Sequence, residues 1–322
     1  MKHEEVYKLS DLFARYLLGK NGNEDLLTDL VNSTLREFNF EEVKNLEIID
    51  PSPKAGFSLN LSDNIELKES IIDIKAKTKN NETVIIEFQL CGNMDFLKRI
   101  FYYISKNVIN EVTLTAGRRQ EGENYNNVQK IISINLLDFN LKFGDKGKVH
   151  RCFKLIDTKD LNIGLDLIQI HILEVKRFIE IIKNSTKEEL KNNRLLSWMK
   201  FFTSDNLELI EEELKEENQI MSKVIEEYRK FTSDDKMMRA YAAREAFLVG
   251  QKMMLRRERE DGFDEGIEEG IKIGKLEGIK EGKLEGIRDE KYSMAKSMKT
   301  KNMDINLISE ITGLTIDEIE KL

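Results

Sequence analysis

The chain has 322 residues, of which 40% are apolar and 34% charged, and its formal net charge is -8. That apolar content can build a core and excludes a chain disordered throughout, while the negative balance excludes nonspecific coating of nucleic acid without excluding a local basic face. Cys91 and Cys152 form no spaced framework, no charged start leads into an apolar segment, and no apolar run approaches the roughly 18 residues of a membrane helix, so a reducing cytoplasm is expected and a membrane partner is not.

Taken in chain order, "SDLFARYLLGKNGNEDLLTDLVNSTLREF" predicts two amphipathic helices broken near "GKNGN", with Leu26, Leu27, Leu30, Val31 and Leu35 at a helical period. "KNLEIIDPSPKA" predicts a short strand ended by Pro51 and Pro53, and "SIIDIKAK" and "ETVIIEFQL" predict two more around the turn "TKNNE". "NMDFLKRIFYYISKNVINEV" reads as a helix, "KIISINLLDF" and "LIQIHILEV" as strands, and the rest as helical. Helix, three strands, helix and strand imply an α/β core with a mixed sheet.

Two acids stand where strands want none: Asp73 in "IIDIKA" and Glu87 in "VIIEFQ". An isolated carboxylate is expensive to desolvate, so a shared purpose is worth testing. A loop with an odd number of residues centred on Asn80 sets 73 opposite 87, whereas a two-residue turn on Asn80 and Asn81 pairs 73 with 88 and turns Glu87 to the other face. In the first register both carboxylates, with the main-chain carbonyl of Phe88 nearby, are oxygen ligands of the kind Mg2+ prefers, and Gln89 shares their face. A metal held so could drive phosphodiester hydrolysis. Spacing alone does not distinguish this from edge-strand acids facing solvent.

The pieces "DLFARYLLGKNGNEDLLTDLVNSTL", "IIDIKAKTKNNETVIIEFQL", "FLKRIFYYISK" and "YNNVQKIISINLLDF", followed by "IHILEVKRF" and a glycine-rich tail, resemble in order and spacing the recombination-promoting nuclease and transposase family of the PD-(D/E)XK nuclease superfamily. The resemblance covers nearly the whole chain. It implies a restriction-endonuclease-like mixed sheet flanked by helices and a Mg2+-dependent DNA endonuclease that promotes recombination. Asp73 would be the metal-binding aspartate and Glu87 the acid of a Glu-x-Gln motif. Gln89 stands where the wider superfamily carries lysine and would orient the attacking water. Lys75, two residues from Asp73, could supply the missing charge, or be a strand lysine facing solvent. Arg99 and Tyr102 or Tyr103 fall at the family's Arg and Tyr positions and would contact DNA, unless the aromatics are core; Tyr125 also matches, without an evident role. Glu24 and Asp25 could offer another acid, but read better as first-turn acids at a helix N-terminus. Arg118 and Arg119 in "GRRQEGENYNN" are the candidate basic patch for DNA.

His3, His150 and His171 are scattered, no Cys or His spacing suggests zinc, and Cys91 reads as a packing residue. The expected layout is a nuclease-like core over 1–173, a helical extension over 174–254, and a glycine-repeat helical tail over 255–322. Glycines at 262, 266, 270, 274, 278, 282 and 286 recur every fourth residue. They wind about 40° around a helix per repeat, and each costs about 1 kcal/mol relative to alanine. Self-association, giving a homo-oligomer, or docking on the core could recover that loss; a frayed helix is the other reading. "DINLISEITGLTIDEIEKL" predicts a helical hairpin with Gly313 at the turn and a capping box from Thr315 to Glu318, suited to protein contact because its acids would repel phosphate. The functional alternative to a nuclease is a catalytically degenerate member serving as a protein-interaction or assembly module.

Overall fold

The computed structural model describes residues 6–49, 74–90, 96–114, 128–145 and 147–322. Two compact units divide between Glu245 and Ala246.

In the first unit, α1 (Asp11–Leu18) opens on Ser10, whose hydroxyl accepts from the amide of Phe13, and closes at Gly19. α2 (Glu24–Arg36) follows after the predicted break, and its periodic Leu26, Leu27, Leu30, Val31 and Leu35 are all buried. The described strands form a six-stranded mixed sheet in the order β1-β2-β3-β4-β6-β5: β1 (Glu47–Ile48), β2 (Ile74–Lys77), β3 (Thr83–Gln89), β4 (Ile131–Leu137), β5 (His150–Ile156) and β6 (Gly164–Glu174). β1, β2 and β3 pair antiparallel, β3, β4 and β6 pair parallel, and β5 runs antiparallel along β6. The crossover from β3 to β4 carries α3 (Phe96–Leu114).

Period-2 alternation splits the sheet between two cores. Val84, Ile86, Phe88, Ile132, Ile134 and Leu136 join the cluster of α1 and α2, while Ile85, Ile131, Leu137 and Ile172 pack with Phe96, Ile100 and Ile104 of α3. Each fully buried aliphatic side chain contributes about 1.5–3 kcal/mol, so both faces of the central strand are held in register.

Two elements differ from expectation. β5 stands in a stretch not expected to be a strand; its residues are mostly exposed and its ladder is with β6, so no period-2 apolar pattern marks it. The helices after 174 are α4 (Phe178–Asn184), α5 (Lys187–Asn192), α6 (Arg194–Thr203), α7 (Glu211–Glu217) and α8 (Ile220–Ser233). Their buried Phe178, Leu195, Trp198, Phe201, Leu214 and Phe231 belong to the same core as α1 and α2, within the compact unit that ends at Glu245.

α9 (Asp235–Thr300) contains the seven glycines and enters the second unit. There α10 (Ile305–Thr312) and α11 (Ile316–Glu320) form a hairpin that closes with the end of α9 around Ala295, Ile308, Leu314 and Ile319. Gly313 takes the left-handed φ of 67° that stops α10, and the Thr315–Glu318 capping box starts α11. Lys299 donates to the carbonyls of Ile319 and Glu320 at 3.0 and 2.8 Å, satisfying the free end of α11. No helix of the described residues is long and apolar enough to cross a membrane.

Candidate functional site

β3 is buried along its whole length, yet its last turn of alternation presents Glu87 and Gln89, 3% and 8% exposed, on the α3 side of the sheet. Gln89 Nε2 donates to Glu87 Oε2 at 3.1 Å, and the guanidinium of Arg99, on the first turn of α3, donates to Gln89 Oε1. Arginine only donates, which fixes the amide orientation and makes Gln89 a link between a buried carboxylate and a cation.

The β2–β3 ladder pairs Ile74 with Ile86, Lys75 with Ile85, Ala76 with Val84 and Lys77 with Thr83, so the hairpin is centred on Asn80. Asn81 takes a left-handed φ of 64°, and Thr78 donates to the carbonyl of Glu82 at 3.0 Å to close the five-residue loop 78–82. Of the two registers open in the sequence, this is the odd-loop one. Asp73 lies outside the described residues. Lys75, opposite Ile85, shares the sheet face of Glu87 and Gln89. The Phe88 side chain points the other way, its ring 6.0 Å from that of Phe202.

On α3, Tyr103 lies one turn beyond Arg99 and is 5% exposed, whereas Tyr102 is 57% exposed with its ring centroid 5.9 Å from that of Tyr103. Tyr103 is thus a core residue and Tyr102 a surface one. Glu24 and Asp25 occupy the first turn of α2; Glu24 accepts from the amide of Gly22 at 2.9 Å and Asp25 pairs with Lys223 at 2.6 Å. Arg118, Arg119, Tyr125 and Cys91 lie outside the described residues.

Sequence reasoning did not single out Ser133 and Asn135. The parallel β3–β4 ladder sets Ser133 level with Ile85 and Asn135 level with Glu87, and both are buried. The available signal was two polar residues at alternate positions of an apolar strand, the same signal that marked the acids.

The fold brings His150, His171 and Cys152 together despite their separation in sequence. His150 Nε2 and His171 Nδ1 share a hydrogen bond of 3.1 Å, and Cys152 Sγ lies 3.8 Å from His171 Nε2. Because both nitrogens of His171 face different neighbours, the three do not converge on one point. Burial pulls the His150 imidazole down to about 3, aided by His171, and the His171 imidazole down to about 4, aided by Lys130. An unfolded histidine titrates near about 6.5, so between that value and about 4 the unfolded chain binds protons that the folded chain refuses. Stability present above this window is lost as pH falls through it, by up to about 1.4 kcal/mol per pH unit for each histidine. Urea midpoints measured at about pH 7 and pH 5 should fall steeply, and His171→Leu should flatten the slope; equal midpoints would refute the neutral buried pair.

Among the described residues no group of three His, Cys, Asp or Glu side chains could hold a metal ion. The donors on the α3 face are nonetheless oxygen ligands: a buried carboxylate, Glu87, level with the amide of Asn135. That donor chemistry suits a hard divalent cation and not zinc or copper. A family model described as PD-(D/E)XK nuclease family transposase matches residues 8–258. No curated protein and no solved structure matches the chain.

Proposed function

The chain belongs to the PD-(D/E)XK nuclease family transposases, and from that membership we propose that it is a Mg2+-dependent endonuclease acting on DNA, with Asp73, Glu87 and the carbonyl of Phe88 as the metal's protein ligands. The observation that carries this reading is the hydrogen-bonded series Glu87, Gln89 and Arg99 at the end of the central strand. The Ile74–Ile86 pair supports it further, since one more step along that ladder would set Asp73 opposite Glu87. A divalent cation bound there polarises a phosphoryl oxygen.

The remaining roles fall to side chains. Gln89 fixes the orientation of Glu87 through Nε2 and holds Arg99 at the site through Oε1, so the cation that lysine provides elsewhere in the superfamily arrives from α3. Arg99 binds a phosphate oxygen, Lys75 adds positive charge from β2, and Tyr102 lies beside the strand path, with Arg118 and Arg119 as further DNA contacts. Nicking of plasmid DNA that chelation removes and added Mg2+ restores supports the reading. Undiminished nicking in chelator overturns the metal role.

The assembly role rests on α9. A Cβ built on any of the seven repeat glycines meets nothing within 4 Å, and Ile267, Ile271, Ile279 and Ile287 are 46–58% exposed. Small residues permit close backbone approach, and the exposed isoleucines would gain from burial. The tail then assembles a homo-oligomer. Sedimentation should find a chain ended near residue 250 shifted toward monomer, and Gly270→Leu with Gly274→Leu should weaken association although leucine is the better helix former. Equal monomer mass for all three chains would leave the tail without an assembly role. If the chain assembles but does not cut DNA, the reading as a degenerate interaction module takes precedence.

A further inference from the structure

Asn135 is fully buried and stands level with Glu87 on the neighbouring strand, facing the same core. Its Nδ2 donates to Ser133 Oγ and to the His171 carbonyl of β6, each at 3.1 Å. A carbonyl can only accept, so the nitrogen arm of this amide is fixed and the side chain cannot be flipped. The Oδ1 arm has no hydrogen-bond partner among the described residues. β4, which carries it, lies between β6 and β3.

An unsatisfied acceptor in a dry interior is costly, and the alternate positions Ile131 and Leu137 on the same face show that an aliphatic residue would suit the packing. Buried water is the ordinary partner of such an atom, and it needs two or more polar neighbours. Glu87, level with Asn135 on β3 and on the same sheet face, is the candidate for the second.

We propose that Asn135 is a positioning residue of the site: its Oδ1 accepts a hydrogen bond from a water that Glu87 also holds, and so fixes where that water lies. This rests on the nuclease reading of Glu87 given above. The role differs from that of Gln89, whose two amide ends are spent on Glu87 and Arg99.

Two readouts test it on the full chain. Asn135→Leu keeps the approximate shape and removes the acceptor together with the two Nδ2 donations; kcat should fall about 10–100-fold with KM unchanged, as for the loss of an outer partner of a metal ligand. The rise in Tm that Mg2+ produces without DNA should shrink as well. Asn135→Asp loses the two Nδ2 donations, which should lower Tm in chelator, but retains an acceptor oxygen and should keep that Mg2+-dependent rise at or above the native size. A purely structural asparagine would change the Tm measured in chelator while leaving kcat and the Mg2+ increment at native values, and that result for Asn135→Leu overturns the proposal. Should Asn135→Leu not fold, Asn135→Asp decides, since loss of its Mg2+ increment also overturns it. A native chain with no metal-dependent cleavage removes the nuclease reading and this role with it; native cleavage with an unaffected Asn135→Leu removes this role alone.

Discussion

Glu87→Gln should bind duplex DNA as tightly as the native chain and cut it on the order of 10³-fold more slowly. The amide matches the carboxylate in shape and retains an oxygen to accept from Gln89 Nε2, so the buried position is filled without a cavity. What disappears is the negative charge that a hard cation requires. On the proposed roles DNA affinity comes from Arg99, Lys75 and the other basic groups, none of which is touched, and folding stability should stay within about 1 kcal/mol because a neutral group replaces a charged one in a buried place. Rates from single-turnover cleavage, read beside binding by anisotropy, separate the two effects. A Glu87→Gln chain that cuts at the native rate would make this acid a structural one.

The largest loss of stability is expected at Glu174, the last residue of β6. Its carboxylate is completely buried, pairs with Arg151, meets Arg177 at 3.2 Å, and accepts from the amide of Leu141 at 2.7 Å. Removing one partner of a buried ionic group leaves the others desolvated and uncompensated, which costs about 3–5 kcal/mol. Since a whole domain is stable by only about 5–15 kcal/mol, Glu174→Ala should be close to unfolding. Guanidinium denaturation should show that loss in the midpoint; a loss below about 1 kcal/mol would mean that the arginines find water instead.

Glu87 and Glu174 also mark what a sequence can and cannot say. Each is an acid in an apolar strand, "VIIEFQ" and "IHILEV", and each carries the same mark of a buried charge with a purpose. Only partners separate them: two arginines and an amide clamp Glu174, whereas Glu87 is tied to an amide and stands level with a second one. The hairpin was legible up to its register, because Asn80 and Asn81 permit either loop; the left-handed φ of Asn81 belongs to the longer one. α2 and the capping box of α11 were legible because periodicity and caps are local. The joining of α4 to α8 with α1 and α2 was not, since an amphipathic helix announces a buried face and not its neighbour. β5 escaped for a related reason: an exposed edge strand has no apolar face to reveal it.

The central claim is that Asp73 and Glu87 together hold a metal that cuts DNA, and plasmid nicking by the native chain and by Asp73→Ala, side by side with and without Mg2+, tests it most directly. The native chain should nick only with Mg2+, and Asp73→Ala should not nick in either condition while unfolding within about 1 kcal/mol of native or later, because on the proposed pairing one of two like charges is removed. A folded Asp73→Ala chain that nicks at the native rate would contradict the account.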